Sequence, residues 1–366
     1  MNGNKAAKPG APGRWIARVA PALAAPILAL AALWAGFALI KEGWISGGFA
    51  PAFAAVWGVA GAALLFFVAN WSVERLGPKV RARALPFVFV GPAILVMAWY
   101  LAAPTVRTLA LSFFDASSRG FAGLDNYAYV FSDRTMRIAF INNLAWLVFG
   151  TGFSVLSGLV IAIMADRSRF ERVAKSLVFL PMAISFVGAG VIWRFVYAYR
   201  PEGDAQVGLL NALVTAAGGA PVNWIVERPW NTLFLIVIFV WLQTGFAMVV
   251  LSAAIKGVPG ELLEAARIDG ASELRVVRSV LIPSILPSIV TVATTTLLLT
   301  LKVFDIVYAM TNGLYGTEVL ASQQYKQMFK FLHYGRGSAI AIVILVAVTP
   351  MIWYNLRQFN KREAFS

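Results

Sequence analysis

Residues 231–255 read NTLFLIVIFVWLQTGFAMVVLSAAI, an uncharged and mostly apolar run that ends just before Lys256. About 20 apolar residues in a helix are enough to cross the hydrocarbon core of a bilayer. Because lipid offers no partner for an exposed backbone N–H or C=O, a spanning segment of this kind has to be helical. The run therefore predicts a transmembrane helix.

Seven other apolar stretches of similar length follow or precede this one. The predicted spans are 19–40, 49–70, 85–111, 141–165, 176–199, 231–255, 283–304 and 338–357. The composition agrees, because 60% of the residues are hydrophobic and only 13% are charged, about half the charged share of a soluble domain. These values exclude a soluble enzyme or a nucleic-acid-binding domain and predict an all-α membrane protein with eight transmembrane helices.

The positive charges indicate how the spans are oriented. With the N-terminus inside, more than half of the 31 Lys and Arg residues fall on the inner side. The inner segments are then 1–18, 71–84, 166–175, 256–282 and 358–366. Excess Lys and Arg is typical of cytoplasmic loops, so both termini are predicted to be cytoplasmic. Residues 1–13 are small, polar and rich in Pro and Gly, which favours disorder in the N-terminal segment 1–18.

Several kinds of site are excluded by counting. The chain has no Cys and one His, His333 in a predicted outer loop, so thiolate and His-cluster metal sites lack ligands. No G-x-x-x-x-G-K-[ST] loop occurs, and a hydrolytic triad lacks residues. We therefore predict no catalytic residue, no metal site and no nucleotide-binding site in this chain.

The predicted cytoplasmic loop 256–282 has its own pattern, KGVPGELLEAARIDGASELRVVRSVLI. Residues 260–269 favour a helix, with Glu264 and Arg267 positioned to pair at i, i+3. Gly270 suits a left-handed turn that ends this helix, and 272–281 predicts a second short amphipathic helix. By itself this pattern also fits an interfacial helix that lies on lipid headgroups.

The spacing inside this loop resembles a known signature. Glu264-Ala265-Ala266 is followed by three residues, Gly270, nine residues and VLIP at 280–283. This resembles the EAA motif of ATP-binding-cassette (ABC) importer permeases, with Val280 and Ile282 as conservative departures. The resemblance implies that the loop is a coupling helix that docks on a separate ATPase subunit. The coupling residues it implies are Glu264, Ala265, Ala266, Arg267, Asp269 and Gly270.

Shorter strings extend the resemblance to the sugar-permease branch of maltose and α-glucoside importers, over roughly residues 80–360. They are GLDNYAYVFSD (123–133), Trp193-Arg194, GLLN (208–211), FDIVYAMTNG (304–313) and YGRGSAIAIV (334–343). The resemblance implies a type I importer fold, with a six-helix core at 85–357, two extra helices and a linker at 19–84, and a tail at 358–366. The large insertion that the maltose-type subunit carries near 112–140 is replaced here by a short loop.

Two spans carry polar groups that could face a substrate path. Thr296 and Thr300 share one face of span 283–304, and hydroxyls suit a sugar because they both donate and accept. Thr hydroxyls also bond back to their own helix, so simple backbone satisfaction remains an alternative. Lys302 and Asp305, near the outer end, either face the path or reach the membrane interface.

Span 231–255 places Gln243 near Trp241 and Phe246. A polar amide in lipid is costly unless it faces protein or a cavity, and aromatic rings with a few polar groups are typical of small-ligand sites. The resemblance places sugar-contacting positions at Gln243, Phe246, Thr296, Thr300 and Val303, where Val303 departs from the amide of the maltose-type subunit. The predicted path residues are therefore Gln243, Phe246, Trp241, Thr296, Thr300 and Asp305, although Trp241 is equally plausible as packing.

These features predict the larger transmembrane subunit of a binding-protein-dependent sugar importer in a bacterial inner membrane, with an α-glucoside such as maltose or trehalose as the expected substrate. The implied partners are a second permease, two copies of an ATPase, an extracytoplasmic solute-binding protein, the sugar and membrane lipids, but no nucleic acid. ATP and Mg would be bound by the ATPase. The alternatives are a permease for glycerol phosphate esters, polyamines or amino acids, a secondary transporter, and a membrane-embedded enzyme.

Overall fold

The computed structural model describes residues 12–45, 47–76 and 78–363. They divide into two compact units, with the boundary between Thr105 and Val106. The sequence placed this boundary after residue 84. The difference arises because the first part of the third span packs on the second span, where Phe89 meets Phe66 with ring centroids 5.3 Å apart.

The first unit contains three helices. They are α1 (Pro12–Lys41), α2 (Phe49–Glu74) and α3 (Pro78–Leu111), whose last turns pass into the second unit. Small residues let α1 and α2 approach, since Gly61 lies against Leu33 and Gly36 against Trp57. Helix α1 begins at Pro12, so residues 12–18 are helical rather than disordered as predicted. Residues 1–11 lie outside the described residues.

The second unit is a helical bundle with short helices in its loops. Its elements are α4 (Asp125–Ser132), α5 (Arg134–Asp166), α6 (Glu171–Phe179), α7 (Phe186–Val196), α8 (Leu209–Ala216), α9 (Trp230–Lys256), α10 (Gly260–Ile268), α11 (Glu273–Leu301), α12 (Asp305–Met310), α13 (Leu320–Tyr325) and α14 (Tyr334–Glu363). A lone antiparallel bridge joins Phe114 and Phe121.

Seven of the eight predicted spans correspond to helices long and apolar enough to cross a membrane. The fifth predicted span, 176–199, is not one straight helix, because α6 and α7 are bent by 105° at a short break. Pro181 lies in a 3-10 turn and Ile184 is extended, and the Ser185 side chain then caps α7 by accepting from the Gly188 N–H at 3.0 Å. Proline and an N-cap residue together end one helix and start the next.

The second predicted loop helix, 272–281, is also not separate. It forms the first turns of α11, which runs unbroken from Glu273 to Leu301 through a π-helical turn at Val277–Leu281. Pro283 lies two residues after that turn, and a widened turn is a usual way to accommodate a disturbed ladder of backbone hydrogen bonds. The span also stops at Leu301, earlier than the predicted residue 304.

Close contact between α5 and α9 forms the centre of the second unit. A side chain at Gly158 would lie only 2.8 Å from the backbone nitrogen of Met248, so the two helices meet there without an intervening residue. The Ser157 and Thr244 hydroxyls join them with a 2.8 Å hydrogen bond. Small residues that allow such approach are typical of helix packing in membranes.

Candidate coupling and transport site

The EAA loop forms a helix, a glycine turn and the start of a second helix. Helix α10 ends at Ile268, and Gly270 has φ of +81°, the left-handed conformation that glycine adopts without strain. The Ala271 N–H then donates to the Ala266 carbonyl at 3.0 Å, which satisfies the exposed end of α10. The predicted role of Gly270 as a turn residue is therefore confirmed in geometry.

Glu273 at the start of α11 holds this elbow together. Its carboxylate accepts from Arg267 of α10 at 2.8 Å and pairs with Arg167, at the end of α5, at 2.9 Å. The predicted pairing of Arg267 with Glu264 is wrong, because the turn brings Glu273 closer to the guanidinium. The hydrogen bond that Arg267 donates to the Glu273 carboxylate raises the pKa of Arg267. The three charges join α5, α10 and α11 at one end of the bundle.

The surface of α10 is largely uncovered. Glu264 and Ala265 are exposed, and so are Ile268 at 86% and Leu274 at 78% of their full areas. Two large apolar side chains beside a small Ala form a surface on which another protein could pack closely. We define the α10 face as Glu264, Ala265 and Ile268 of α10 together with Leu274 in the first turn of α11.

A partly buried ionic network lies at the same end of the bundle and has no counterpart in the sequence analysis. Lys175 on α6 pairs with Asp166 on α5 and with Glu171, the latter at 2.6 Å. The Ser252 hydroxyl on α9 donates to Asp166 at 2.8 Å, and Lys256 pairs with Glu171. The network ties the ends of three helices next to the α10 elbow. Asp166, Glu171 and Lys175 lie within ten residues of one another, but Ser252 and Lys256 come from the distant helix α9, so no local motif could reveal the whole network.

A cavity of about 330 Å³ opens at the break between α6 and α7, where α9 and α11 pass. We call it the Gln243 cavity. Its lining includes Ile184, Phe186, Gln243, Phe246, Thr295 and Leu299. The structure thus brings two predicted path residues, Gln243 and Phe246, into one cavity. Among the described residues, nothing forms a hydrogen bond with the Gln243 amide, which leaves that group available to a ligand.

Thr296 and Thr300 do not line the Gln243 cavity. Both are fully buried, and Thr300 donates to its own helix at the Leu297 carbonyl at 2.9 Å. Its hydroxyl also lies 3.5 Å from that of Thr151 on α5. They share a face as predicted, but that face packs against α5, and the adjacent Thr295 lines the cavity instead. A one-residue step turns a helix by about 100°, so the sequence pattern did not decide which face meets the cavity.

Trp241 and Asp305 also lie outside the lining of the Gln243 cavity. Trp241 packs edge-on against Trp193 with ring centroids 5.8 Å apart, and it does not line the Gln243 cavity. Asp305 begins α12 and, with Lys302, lines a second cavity of about 180 Å³, the Asp305 cavity. Lys302 follows the last residue of α11 and Asp305 begins α12, so the two charges do not lie on one face of a single helix.

The Asp305 cavity and the Gln243 cavity are neighbours. Phe186 and Leu299 line both of them. Val303, a predicted contact position by resemblance, lines the Asp305 cavity while remaining 93% buried in the core formed with Phe239. Charged groups therefore lie only at one end of this pair of cavities, and Gln243 with Thr295 provides the polarity at the other.

The opposite end of the bundle from α10 is closed by a buried polar network around the 311–319 loop. The Asn142 amide donates to the carbonyls of Gly316 and Glu318 at 2.8 and 2.7 Å. Asn143 accepts from the Leu320 N–H at 2.8 Å. The two adjacent amides of α5 thus fix the loop that precedes α13. The sequence signal was two Asn residues inside an apolar span.

A buried ion pair completes this region. Glu318 is 96% buried, and its carboxylate accepts from Lys326 and from the Ser322 hydroxyl, each at 2.6 Å. Lys326 also donates to the Asn312 carbonyl at 2.8 Å.

Among the described residues, no group of three or more His, Cys, Asp or Glu is arranged to hold a metal.

This combination of a membrane-spanning bundle, an exposed helix-turn-helix elbow and a cavity at a broken helix defines a transport subunit that works through partner proteins. Residues 154–360 match the family described as "Binding-protein-dependent transport system inner membrane component". The chain belongs to that family and is a multi-pass inner-membrane permease of the ABC importer type.

Comparisons with individual proteins agree. The chain is 54% identical to the osmoprotective compounds uptake permease protein GgtC of Synechocystis sp., over 75% of this chain and 99% of that protein. It is 46% identical to the alpha-glucoside transport system permease protein AglF of Rhizobium meliloti, over 76% of this chain and 83% of that protein.

The fold is also shared with a solved structure. The match is to a bacterial ABC transporter involved in the import of the acidic polysaccharide alginate, with a TM-score of 0.66 and 19% identity, over 77% of this chain and 97% of that chain. This likeness shows the type I importer permease fold. Family membership excludes the two alternative predictions, a secondary transporter and a membrane-embedded enzyme.

Proposed function

We propose that this chain forms part of the translocation path for a small, uncharged, polyhydroxylated solute, with an α-glucoside sugar as the leading candidate. The observation that carries this proposal is the Gln243 cavity, which combines the Gln243 amide and Thr295 hydroxyl with the Phe246 and Phe186 rings. Aromatic rings stack on the apolar faces of a sugar while a few polar groups fix its orientation. AglF, named for alpha-glucoside transport, supports this solute class.

An osmoprotective compound is the second candidate, and the 54% identity to GgtC favours it. The two candidates overlap where an osmoprotective solute is itself a glycoside. Uptake of labelled maltose, trehalose and sucrose separates the two candidates when each is measured with an excess of unlabelled sugar or of glycine betaine. Inhibition by the unlabelled sugars alone supports a glycoside path, and inhibition by betaine overturns it.

The α10 face provides the coupling surface in this proposal. It docks on an ATPase subunit through Ile268, Leu274 and Ala265, while Glu264 is satisfied by the partner. Two copies of the ATPase bind ATP and Mg, and a second permease and an extracytoplasmic solute-binding protein complete the transporter. Because the Glu273 clamp ties α10 to α5 and α11, movement of the ATPase would be passed to the helices around the Gln243 cavity. This chain then needs no cofactor and no ATPase motif of its own.

The test is substrate uptake by the complete transporter in proteoliposomes. We expect Glu264→Lys and Gly270→Asp to lower uptake at least tenfold, the scale that an unpaired charge or a strained turn at an interface produces. Both variants should insert normally, because these positions are exposed and have free space around them. Wild-type uptake by both variants would disprove the coupling role.

Matched controls come from the same chain. Gly260→Asp introduces the same side chain at a glycine on α10 that has ordinary φ and open surroundings. Glu202→Lys makes the same charge change on an exposed loop far along the chain. Both controls should keep uptake within about twofold, since exposed substitutions away from special features have small effects.

A further inference from the structure

A row of four aromatic side chains lies next to the cavities and has no role in the function proposed above. Phe304 and Tyr308 stack with centroids 5.1 Å apart, and Tyr325 contacts them at 5.2 and 5.4 Å. Phe329 extends the row, 5.3 Å from Tyr325. We define the aromatic row as Phe304, Tyr308, Tyr325 and Phe329.

The row borders a third cavity of about 340 Å³, the Tyr325 cavity, lined by α13, α14 and the end of α11. Lys302 and Phe304 line both this cavity and the Asp305 cavity. The Asp305 cavity in turn shares Phe186 and Leu299 with the Gln243 cavity. The three cavities are therefore neighbours in a series, with the Asp305 cavity between the other two.

The chemistry around the row differs from that of a lipid-facing surface. Lys302 and Gln324 line the Tyr325 cavity, and Lys330 lies 5.7 Å from the centre of the Tyr308 ring. Charged groups on a lipid-facing surface are costly. Exposed ring faces beside hydrogen-bonding groups instead match a sugar, which offers apolar faces and many hydroxyls. Tyr308 is 37% and Phe329 is 61% exposed, so ring area is available.

We propose that the aromatic row and the Tyr325 cavity form a second sugar-binding subsite, at the end of the bundle opposite α10. The subsite receives the sugar first, by stacking on Tyr325 and Tyr308 with hydrogen bonds to Lys302 and Gln324. The sugar then moves through the Asp305 cavity to the Gln243 cavity. This inference rests on the proposed function, because it takes the transported solute to be a sugar.

The test uses the complete transporter in proteoliposomes, supplied with its binding protein and labelled maltose, trehalose or sucrose. Two rates are measured together: sugar uptake, and ATP hydrolysis stimulated by the loaded binding protein. We expect Tyr325→Ala to lower the sugar imported per ATP hydrolysed by about tenfold, the effect of losing one stacking contact. Tyr325→Phe keeps the ring and should stay within about twofold.

Phe331→Ala is the matched control, because Phe331 is 65% exposed and directly follows the π-helical turn Lys326–Lys330 that contains Phe329, yet it lines none of the three cavities. It should leave the ratio unchanged. An unchanged ratio in both Tyr325→Ala and Tyr308→Ala overturns the subsite. If the complex fails to assemble and sugar uptake and ATP hydrolysis fall in proportion, the subsite is also overturned. The aromatic row is then assigned to the contact with the second permease.

The outcomes for the two proposals are distinguishable. A wild-type transporter that hydrolyses ATP in response to its loaded binding protein but imports no sugar overturns the proposed function and the subsite together. Sugar import by the wild type, with no selective loss in the Tyr325→Ala variant, overturns the subsite alone.

Discussion

The two ends of the second unit differ in how they satisfy their polar and apolar groups. Around the 311–319 loop, amides of α5 and the Glu318–Lys326 pair form a network within the chain. On the α10 face, Ile268 and Leu274 are left uncovered and the charges of the elbow are about half exposed. The first end is stabilised by the chain itself, whereas the second is arranged for a partner. Substitutions should therefore affect stability at one end and assembly at the other.

The largest effect on stability is expected from Glu318→Ala. Removing this carboxylate leaves Lys326 without its buried partner, and breaking such a pair costs about 3 kcal/mol. Thermal unfolding of the purified chain in detergent should show a clear fall in Tm. Glu202→Ala, on an exposed loop, is the control. If both variants unfold at the wild-type temperature, the 311–319 network does not stabilise the fold.

A smaller loss of stability is expected from Asn143→Ala. The side chain is 97% buried and bonds both to the Leu320 N–H and to the Leu301 carbonyl. Leaving buried backbone groups unpaired costs about 2 kcal/mol. Leu144→Ala, at the neighbouring position that is 60% exposed, should unfold nearly as the wild type does in the same measurement. A larger loss for Leu144→Ala would contradict the inward role given to Asn143.

The smallest effect on stability is expected from Ile268→Ser. The side chain is 86% exposed, so the free energy of unfolding should change by less than about 0.5 kcal/mol. Association with the ATPase, measured by co-purification, should nevertheless fall, because the α10 face loses its most exposed apolar group. Phe331→Ser makes a similar change at the other end and should leave association intact. Equal association in both variants would remove Ile268 from the coupling surface.

The sequence was informative wherever a short segment carried its own reason for folding. Apolar length predicted the spans, and Gly270 predicted the turn of the elbow, which has the expected left-handed backbone. The sequence was less informative about which face of a helix meets a cavity. Thr296 was predicted to face the path, but Thr295 lines the Gln243 cavity, because the choice of face depends on how α5 and α9 pack against α11.

The partner of Arg267 and the break between α6 and α7 show the same limit of sequence-based prediction. Arg267 was predicted to pair with Glu264 on its own helix, but the turn brings Glu273 to it instead, together with Arg167 from α5. The break between α6 and α7 had a local signal in Pro181 and Ser185, although its 105° angle did not. An angle of this kind depends on the helices that pack on both sides.

The sequence by itself determined that this chain spans a membrane and carries a coupling elbow, because hydrophobic length and glycine conformation act over a few neighbouring residues. Only the tertiary structure decided that Gln243 and Phe246 meet Thr295 at a broken helix, that Ser252 of α9 reaches Asp166 of α5, and that Asn143 of α5 reaches Leu320 of α13. Those contacts join helices far apart in the chain, and their positions depend on packing between helices that no local pattern encodes.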